Sequence, residues 1–146
     1  MKVSTKGRYG LVAVIDLALR AENEQIPLNV IAERQGISVN YLEHIFSSLK
    51  KAGIVKSIKG PQGGYMLADK PAKIIVGDVI RALEGDIRIV KKETEGDLEN
   101  PIERCLFTNL WDKIDYEVNK IIDQTTLEDI VNCYQATQYD GMMFHI

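Results

Sequence analysis

Apolar positions in the first half of the chain recur at helical spacing and are punctuated by Gly, Pro and capping residues. Tyr9, Val12, Ile15 and Leu19 follow Ser4 and Thr5, either of which can cap, and predict a helix ending near Ala21. A polar turn runs from Glu22 to Gln25. Leu28 to Arg34 predicts a short second helix, with Pro27 suited to its first turn and Gly36 just past its end. Ser38 then caps a third helix. Its apolar stripe is Tyr41, Leu42, Ile45, Phe46 and Leu49, and Gly53 stops it. Gln35, Gly36, Ile37 and Ser38 form a tight turn between the second and third helices, with Ile37 plugging the corner.

The period then changes. Ile54, Val55, Ser57 and Ile58 alternate as a strand, and Gly60-Pro61-Gln62-Gly63-Gly64 must turn. Tyr65, Met66 and Leu67 return as a second strand. Pro71 breaks the pattern, and Val76 to Glu84 reads as a helix with Val79, Ile80 and Leu83 inward, ended by Gly85. A helix sized for a groove, followed at once by a Gly-tipped hairpin carrying Lys, is the layout of a winged helix-turn-helix. The helix can enter the major groove of a duplex while the hairpin grips an adjacent phosphate strand or groove.

Residues 86–100 are polar and charged and read as a linker or loop. Asn100-Pro101-Ile102-Glu103 then signals a strong helix start, with a cap, a proline at the first helical position and a Glu that can close the box. Ile102, Leu106, Leu110, Ile114, Val118 and Ile121 form one stripe. A helix from Pro101 to Asp123 would be about 35 Å long. Such a stripe needs a cover, and a second copy of the chain suits it. Paired readers place two recognition helices one helical turn of DNA apart, ~34 Å, so that a palindromic site is read twice. The expected class is therefore mainly α with a small β-hairpin wing. Residues 1–85 form the winged helix-turn-helix domain; residues 86–146 form a loop, a long dimerisation helix and a C-terminal tail. Thr125-Thr126-Leu127-Glu128 caps a last short helix. The apolar ending from Met142 to Ile146 covers the partner or fills its own core.

The 146 residues suffice for one ordinary domain or a small domain with an extension, and 45% hydrophobic content supports a core. No run approaches the ~18 apolar residues of a membrane span, so no membrane partner is expected. The start, Met-Lys-Val-Ser-Thr-Lys, lacks the apolar core of a signal peptide, and with two cysteines, Cys105 and Cys133, a cytoplasmic thiol state is expected. The net charge of -3 hides an asymmetry. Residues 1–85 carry 12 Lys and Arg against 8 Asp and Glu, and residues 86–146 carry 6 against 13. A basic front and an acidic back fit a nucleic-acid reader joined to something else. The pI of 5.4 taken alone would argue the other way. Enzyme chemistry is not expected. The Gly60–Gly64 segment lacks the Gly-Lys-Ser/Thr of a phosphate loop. His44 and His145 lie in unrelated segments, no metal-ligand spacing appears, and the acidic run from Glu93 to Glu103 reads as a solvated loop.

The blocks KVSTKGRYGL, ISVNYLEHIFSSLKKAGIVKSIKGPQGGY, GDVIRALEG and TTLEDIV span essentially the whole chain. Together they resemble the Rrf-two family of bacterial winged helix-turn-helix transcription regulators. The resemblance implies a homodimeric, sequence-specific DNA-binding regulator, usually a repressor. Ser38, Asn40, Tyr41, Glu43 and His44 match the recognition-helix positions that face bases and phosphates. Lys59, Gly60 and Gln62 match the wing tip, and Lys6 and Arg8 match N-terminal positions near the backbone. The chemistry agrees: Asn40 can pair with base edges and Glu43 can accept from a cytosine amino group. Lys50, Lys51, Lys56 and Lys59 can neutralise phosphates.

The sensor departs from the family pattern. Cluster-binding members carry three Cys in the loop and at the start of the long helix. Here Cys105 stands alone, the loop holds Glu93 and Glu99, and Thr108 stands where a His ligand can lie. No iron–sulfur cluster is therefore expected, since such sites are held mostly by thiolates. Cys105 reads as a small residue packed beside the Ile102–Leu106 stripe, with a redox-active thiol as the alternative, and Cys133 reads as structural. The missing ligands and the Met-Phe-His-Ile ending lean toward the branch that controls cysteine metabolism, partly through complex formation with a cysteine synthase. Two other readings are a regulator sensing iron–sulfur or redox state through Cys105, and a winged-helix module that binds protein without DNA. A protein-binding module would show a neutral wing and an acidic recognition helix; Lys50, Lys51, Lys56 and Lys59 oppose that.

Overall fold

The computed structural model describes residues 2–20, 24–91 and 100–143. Helix α1 spans Thr5–Ala18, and the Ser4 hydroxyl caps it by accepting the Gly7 N–H at 3.3 Å. It stops short of the expected end near Ala21, a residue outside those described, as are Glu22 and Asn23 of the turn that follows. Helix α2 (Leu28–Gln35) ends at Gly36, whose φ of 67° is left-handed, and α3 (Val39–Lys51) starts from the Ser38 cap. Ile37 is buried in the corner between them, as its position in the turn predicts.

Strands β1 (Val55–Ile58) and β2 (Gly64–Leu67) pair antiparallel, with Val55 opposite Leu67 and Ile58 opposite Gly64. Ile26 adds a one-residue third strand that the sequence did not announce, exchanging hydrogen bonds with Tyr65 at 2.8 and 2.9 Å. Gly64 permits this approach, because a Cβ there would lie 2.5 Å from the Ile26 carbonyl. A short 3₁₀ turn at Pro71–Lys73 leads into α4 (Val76–Glu84), which ends at Gly85. The core is one cluster. Val14, Ile31, Leu42, Ile45, Phe46, Leu49 and Val79 are fully buried within it. Gly10 of α1 packs so closely on α4 that a Cβ there would collide with the Leu83 side chain.

The long C-terminal rod is real but is not one plain α-helix. Helix α5 (Pro101–Leu106) passes through a π-helical turn at Phe107–Trp111 into α6 (Asp112–Gln124). Asn100 caps the start, accepting the Ile102 N–H at 2.9 Å. A stripe spaced every four residues drifts about 40° per step on a 3.6-residue helix; the wider π turn opposes that drift and keeps Ile102, Leu106, Leu110 and Ile114 nearer one line. The last helix is not short. Helix α7 runs Leu127–Met143, 17 residues, and is capped by a reciprocal pair in which Thr126 and Asp129 each accept the other's backbone N–H. The apolar ending from residue 144 lies outside the described residues.

The C-terminal elements pack back on the first 85 residues. Leu127 is fully buried in the common core, and Val118 and Ile122 of α6 lean on it. Arg81 of α4 holds Asn119 at 2.9 Å and both Asp123 carboxylate oxygens at 2.8 Å. Gly77 leaves room for that carboxylate, which a Cβ would strike. Asp115 and Asn119 of α6 also pin the loop after α4, through the Ile89 N–H and the Ile87 carbonyl.

Candidate nucleic-acid interface

Helix α3 divides into two faces. Leu42, Ile45, Phe46 and Leu49 are buried, while Asn40, Glu43, His44, Ser47, Lys50 and Lys51 are exposed. The exposed set recurs at three- and four-residue steps, so it forms one stripe along the helix. Ser47 was missed from the sequence, although its spacing from Glu43 and His44 would have found it. Val39, at the helix start, is exposed as well. Lys50 and Lys51 occupy the last turn, where cations suit the negative end of the helix.

Two predicted residues do structural work first. The Ser38 hydroxyl accepts the Tyr41 N–H at 3.2 Å, leaving its O–H free to donate elsewhere. Tyr41 is half-buried, leaning on the core with its ring edge-on to Tyr9 at 6.0 Å. Lys6 is half-buried and its ammonium donates to Ser48 of α3 at 3.4 Å; Arg8 is exposed.

The wing is tied to this helix through its buried side. Phe46 of α3 and Tyr65 of β2 stack at a tilt with ring centroids 4.9 Å apart, a contact of about 0.5–1.5 kcal/mol beyond burial that ties helix to hairpin. Gly60 takes a φ of 111° and its carbonyl accepts the Gly63 N–H at 2.9 Å, closing the tip. Gln25 donates to the Gln62 carbonyl at 2.7 Å, which anchors the tip and leaves the Gln62 side chain projecting outward with Lys59. Lys56 and Lys59 are exposed. The structure thus brings the α3 residues into one stripe and joins the wing to their helix, with Lys6 against its end.

The orientation of α2 against α1 is set by Asp16, which is buried. Arg34 of α2 donates to it through Nε at 3.1 Å and Nη2 at 2.5 Å, and Gln35 donates at 2.6 Å. Burial alone would raise the Asp16 pKa; the hydrogen bonds from Arg34, Gln35 and Arg20 outweigh it and hold the carboxyl below its ordinary range.

Both cysteines depart from expectation. Cys105 of α5 and Cys133 of α7 are exposed in the single chain rather than packed within it. Along the rod, Ile102, Leu110 and Ile121 are 71%, 40% and 65% exposed.

A helix-turn-helix whose outward helix face is polar, joined to a lysine-bearing hairpin, defines a winged-helix DNA-binding protein. Comparison with known proteins narrows this. A family model described as "Rrf2: Iron-dependent Transcriptional regulator" matches residues 3–133, and the chain belongs to that family. It is 42% identical over 146 residues to the transcriptional regulator CymR of Bacillus subtilis, covering 100% of both chains. It is 39% identical over 131 residues to IscR of Vibrio campbellii, covering 90% of this chain and 77% of that one. The solved structure of CymR, the global cysteine regulator of B. subtilis, superposes with a TM-score of 0.76 at 42% identity, covering 90% of this chain and 97% of that one. The chain is thus a DNA-binding transcription regulator of the Rrf2 type, and these relatives are regulators by name. No helix among the described residues is long and apolar enough to cross a membrane.

The family description raises iron, and the donor set here fits an iron–sulfur cluster poorly. Between residues 86 and 124 the one thiol is Cys105, and no imidazole lies there. Among the described residues no group of three His, Cys, Asp or Glu could hold a metal ion. Clusters are held mostly by three or four thiolates.

Proposed function

We propose that the protein acts as a homodimeric repressor that reads a palindromic operator. The observation that carries this reading is the pairing of two unsatisfied surfaces: the polar stripe Asn40, Glu43, His44 and Ser47 with a basic wing, and the apolar row on the rod. Of the predicted stripe, Ile102, Leu106, Leu110 and Ile121 are exposed in the single chain, while Val118 leans on its own core instead, and exposed apolar patches mark protein–protein contacts. A second copy packed along the rod buries that row and presents two reading heads to one duplex. Asn40 and Glu43 read base edges, Val39 offers an apolar contact to a thymine methyl, and Lys50, Lys51, Lys56 and Lys59 neutralise phosphates. Lys6 and Arg8 add backbone contacts, and Gln62 reaches the minor groove from the wing.

The regulator works without a resident cluster and belongs with the cysteine-metabolism branch, with a cysteine synthase as partner. The lone Cys105 and the likeness to CymR over the full chain support this. The exposure of Cys105 supports a second reading, in which that thiol responds to redox state. An absorption spectrum of anaerobically purified protein separates these from a cluster sensor: it is expected to be colourless, and visible absorbance would overturn the assignment. Titration of a palindromic promoter fragment at two salt concentrations tests the DNA reading. Binding should weaken steeply with salt; indifference to every duplex would favour a protein-binding module.

A further inference from the structure

Behind the wing, away from the recognition stripe, a cavity of about 270 Å³ opens between the end of α1, the hairpin and the turn before α4. Its apolar wall includes Leu17, Met66, Leu67 and Pro71, and three cations, Arg20, Lys56 and Lys70, border it against two carboxylates, Glu24 and Asp69. Asp69 already accepts the Lys70 backbone N–H at 2.8 Å. Arg20 reaches Asp16 with Nη2 at 3.5 Å, yet its Nε is buried and has no hydrogen-bond partner among the described residues. That Nε is closed off from the cavity as well as from solvent, so what Arg20 offers an occupant is the exposed part of its guanidinium, the side chain being 37% exposed at the cavity wall. A guanidinium presents N–H groups in a planar fork that matches the two oxygens of a carboxylate.

We propose that this cavity is a binding site for a small organic carboxylate with a short aliphatic body. Arg20 holds the carboxylate, Lys70 adds a second positive charge at the rim, and the aliphatic part lies on Leu17, Leu67 and Pro71. The volume, at the low end of ligand sites, limits the occupant to a few carbon atoms. The site is placed to regulate. Arg20 shares Asp16 with Arg34 and Gln35 of α2, and Lys56 and Met66 lie on the hairpin, so an occupant touches groups that position both the reading head and the wing.

The test is an NMR titration of the ¹⁵N-labelled full chain with pentanoate, with its uncharged amide pentanamide, and with inorganic phosphate. Pentanoate should give saturable shifts centred on Ala18, Met66 and Ala68. Pentanamide should bind about tenfold weaker, for want of the charge-assisted hydrogen bonds. Lys70→Gln should weaken pentanoate several-fold with the remaining amide spectrum unchanged, and Arg20→Gln should abolish its binding. Because Arg20 also meets Asp16, the Lys70 variant keeps the test valid if Arg20→Gln fails to fold. Equal binding of pentanamide, tighter binding of phosphate, shifts confined to α3 and the wing tip, or no saturable shift would each overturn the proposal.

Discussion

Asp16 of α1 and Arg34 of α2 form a two-point ion pair across the first joint of the helix-turn-helix, with the carboxylate at 0% side-chain exposure and the guanidinium at 31%. Removing one member of a fully buried pair costs ~3–5 kcal/mol, and the partial exposure of Arg34 lowers that here. Asp16→Asn should destabilise the fold by about 2 kcal/mol in urea titration. A loss within error of zero would show that the apolar core alone orients α2. The pH dependence has a defined sign. The folded-state pKa is held below the unfolded one, so the contribution is fully present above the unfolded pKa of about 4 and is lost as pH falls through the lower folded value. The wild-type chain should therefore lose more stability on acidification than Asp16→Asn does.

Asn40 and Lys59 should fail differently. Asn40→Ala should cost about 1–3 kcal/mol at one base position and relax preference there. Lys59→Ala should weaken all duplexes alike and reduce the salt slope by about one. Anisotropy titrations on a set of single-base operator variants separate the two. Uniform loss for Asn40→Ala would remove its reading role.

Arg81 and Asp123 latch α4 to the rod. Both side chains are partly exposed, at 28% and 40%, so their coupling should be about 1 kcal/mol in a double-mutant cycle of Arg81→Met and Asp123→Asn. Strictly additive effects would mean that this ion pair adds nothing to the other contacts holding the rod to the head.

Leu110→Asp tests the rod as an interface. Leu110 is 40% exposed in the single chain, so a carboxylate there costs the isolated fold little. Buried between two copies, it should cost more than ~2 kcal/mol per copy and split the dimer in sedimentation. A variant that still sediments as two copies would place the interface elsewhere.

The helix-turn-helix was legible because local chemistry punctuates it: Ser4 and Ser38 cap, Gly36 turns left-handed, and Gly85 stops α4. The recognition stripe was legible because its complement, Leu42 to Leu49, is so regular. What escaped depends on distant parts of the chain. Ile26 joins the hairpin as a single residue, too short for any alternation to show. The π turn at Phe107–Trp111 changes the phase of the rod without changing the four-residue spacing of its apolar positions. Helix α7 buries Leu127 and Val131 near its start and leaves residues 132–141 exposed, so no periodic stripe marked its length. Asp16, an acid between Ile15 and Leu17, carries no local mark of a partner; only the fold shows that Arg34, eighteen positions on, meets it.

The most direct measurement is selection of binding sites from a random duplex pool, followed by the mass of the protein–DNA complex formed on the winner. Two chains joined along their rods should enrich an inverted repeat with half-sites about one helical turn apart, and the complex should weigh two chains per duplex. An asymmetric site bound by one chain, or no enrichment at all, would contradict the paired reading heads.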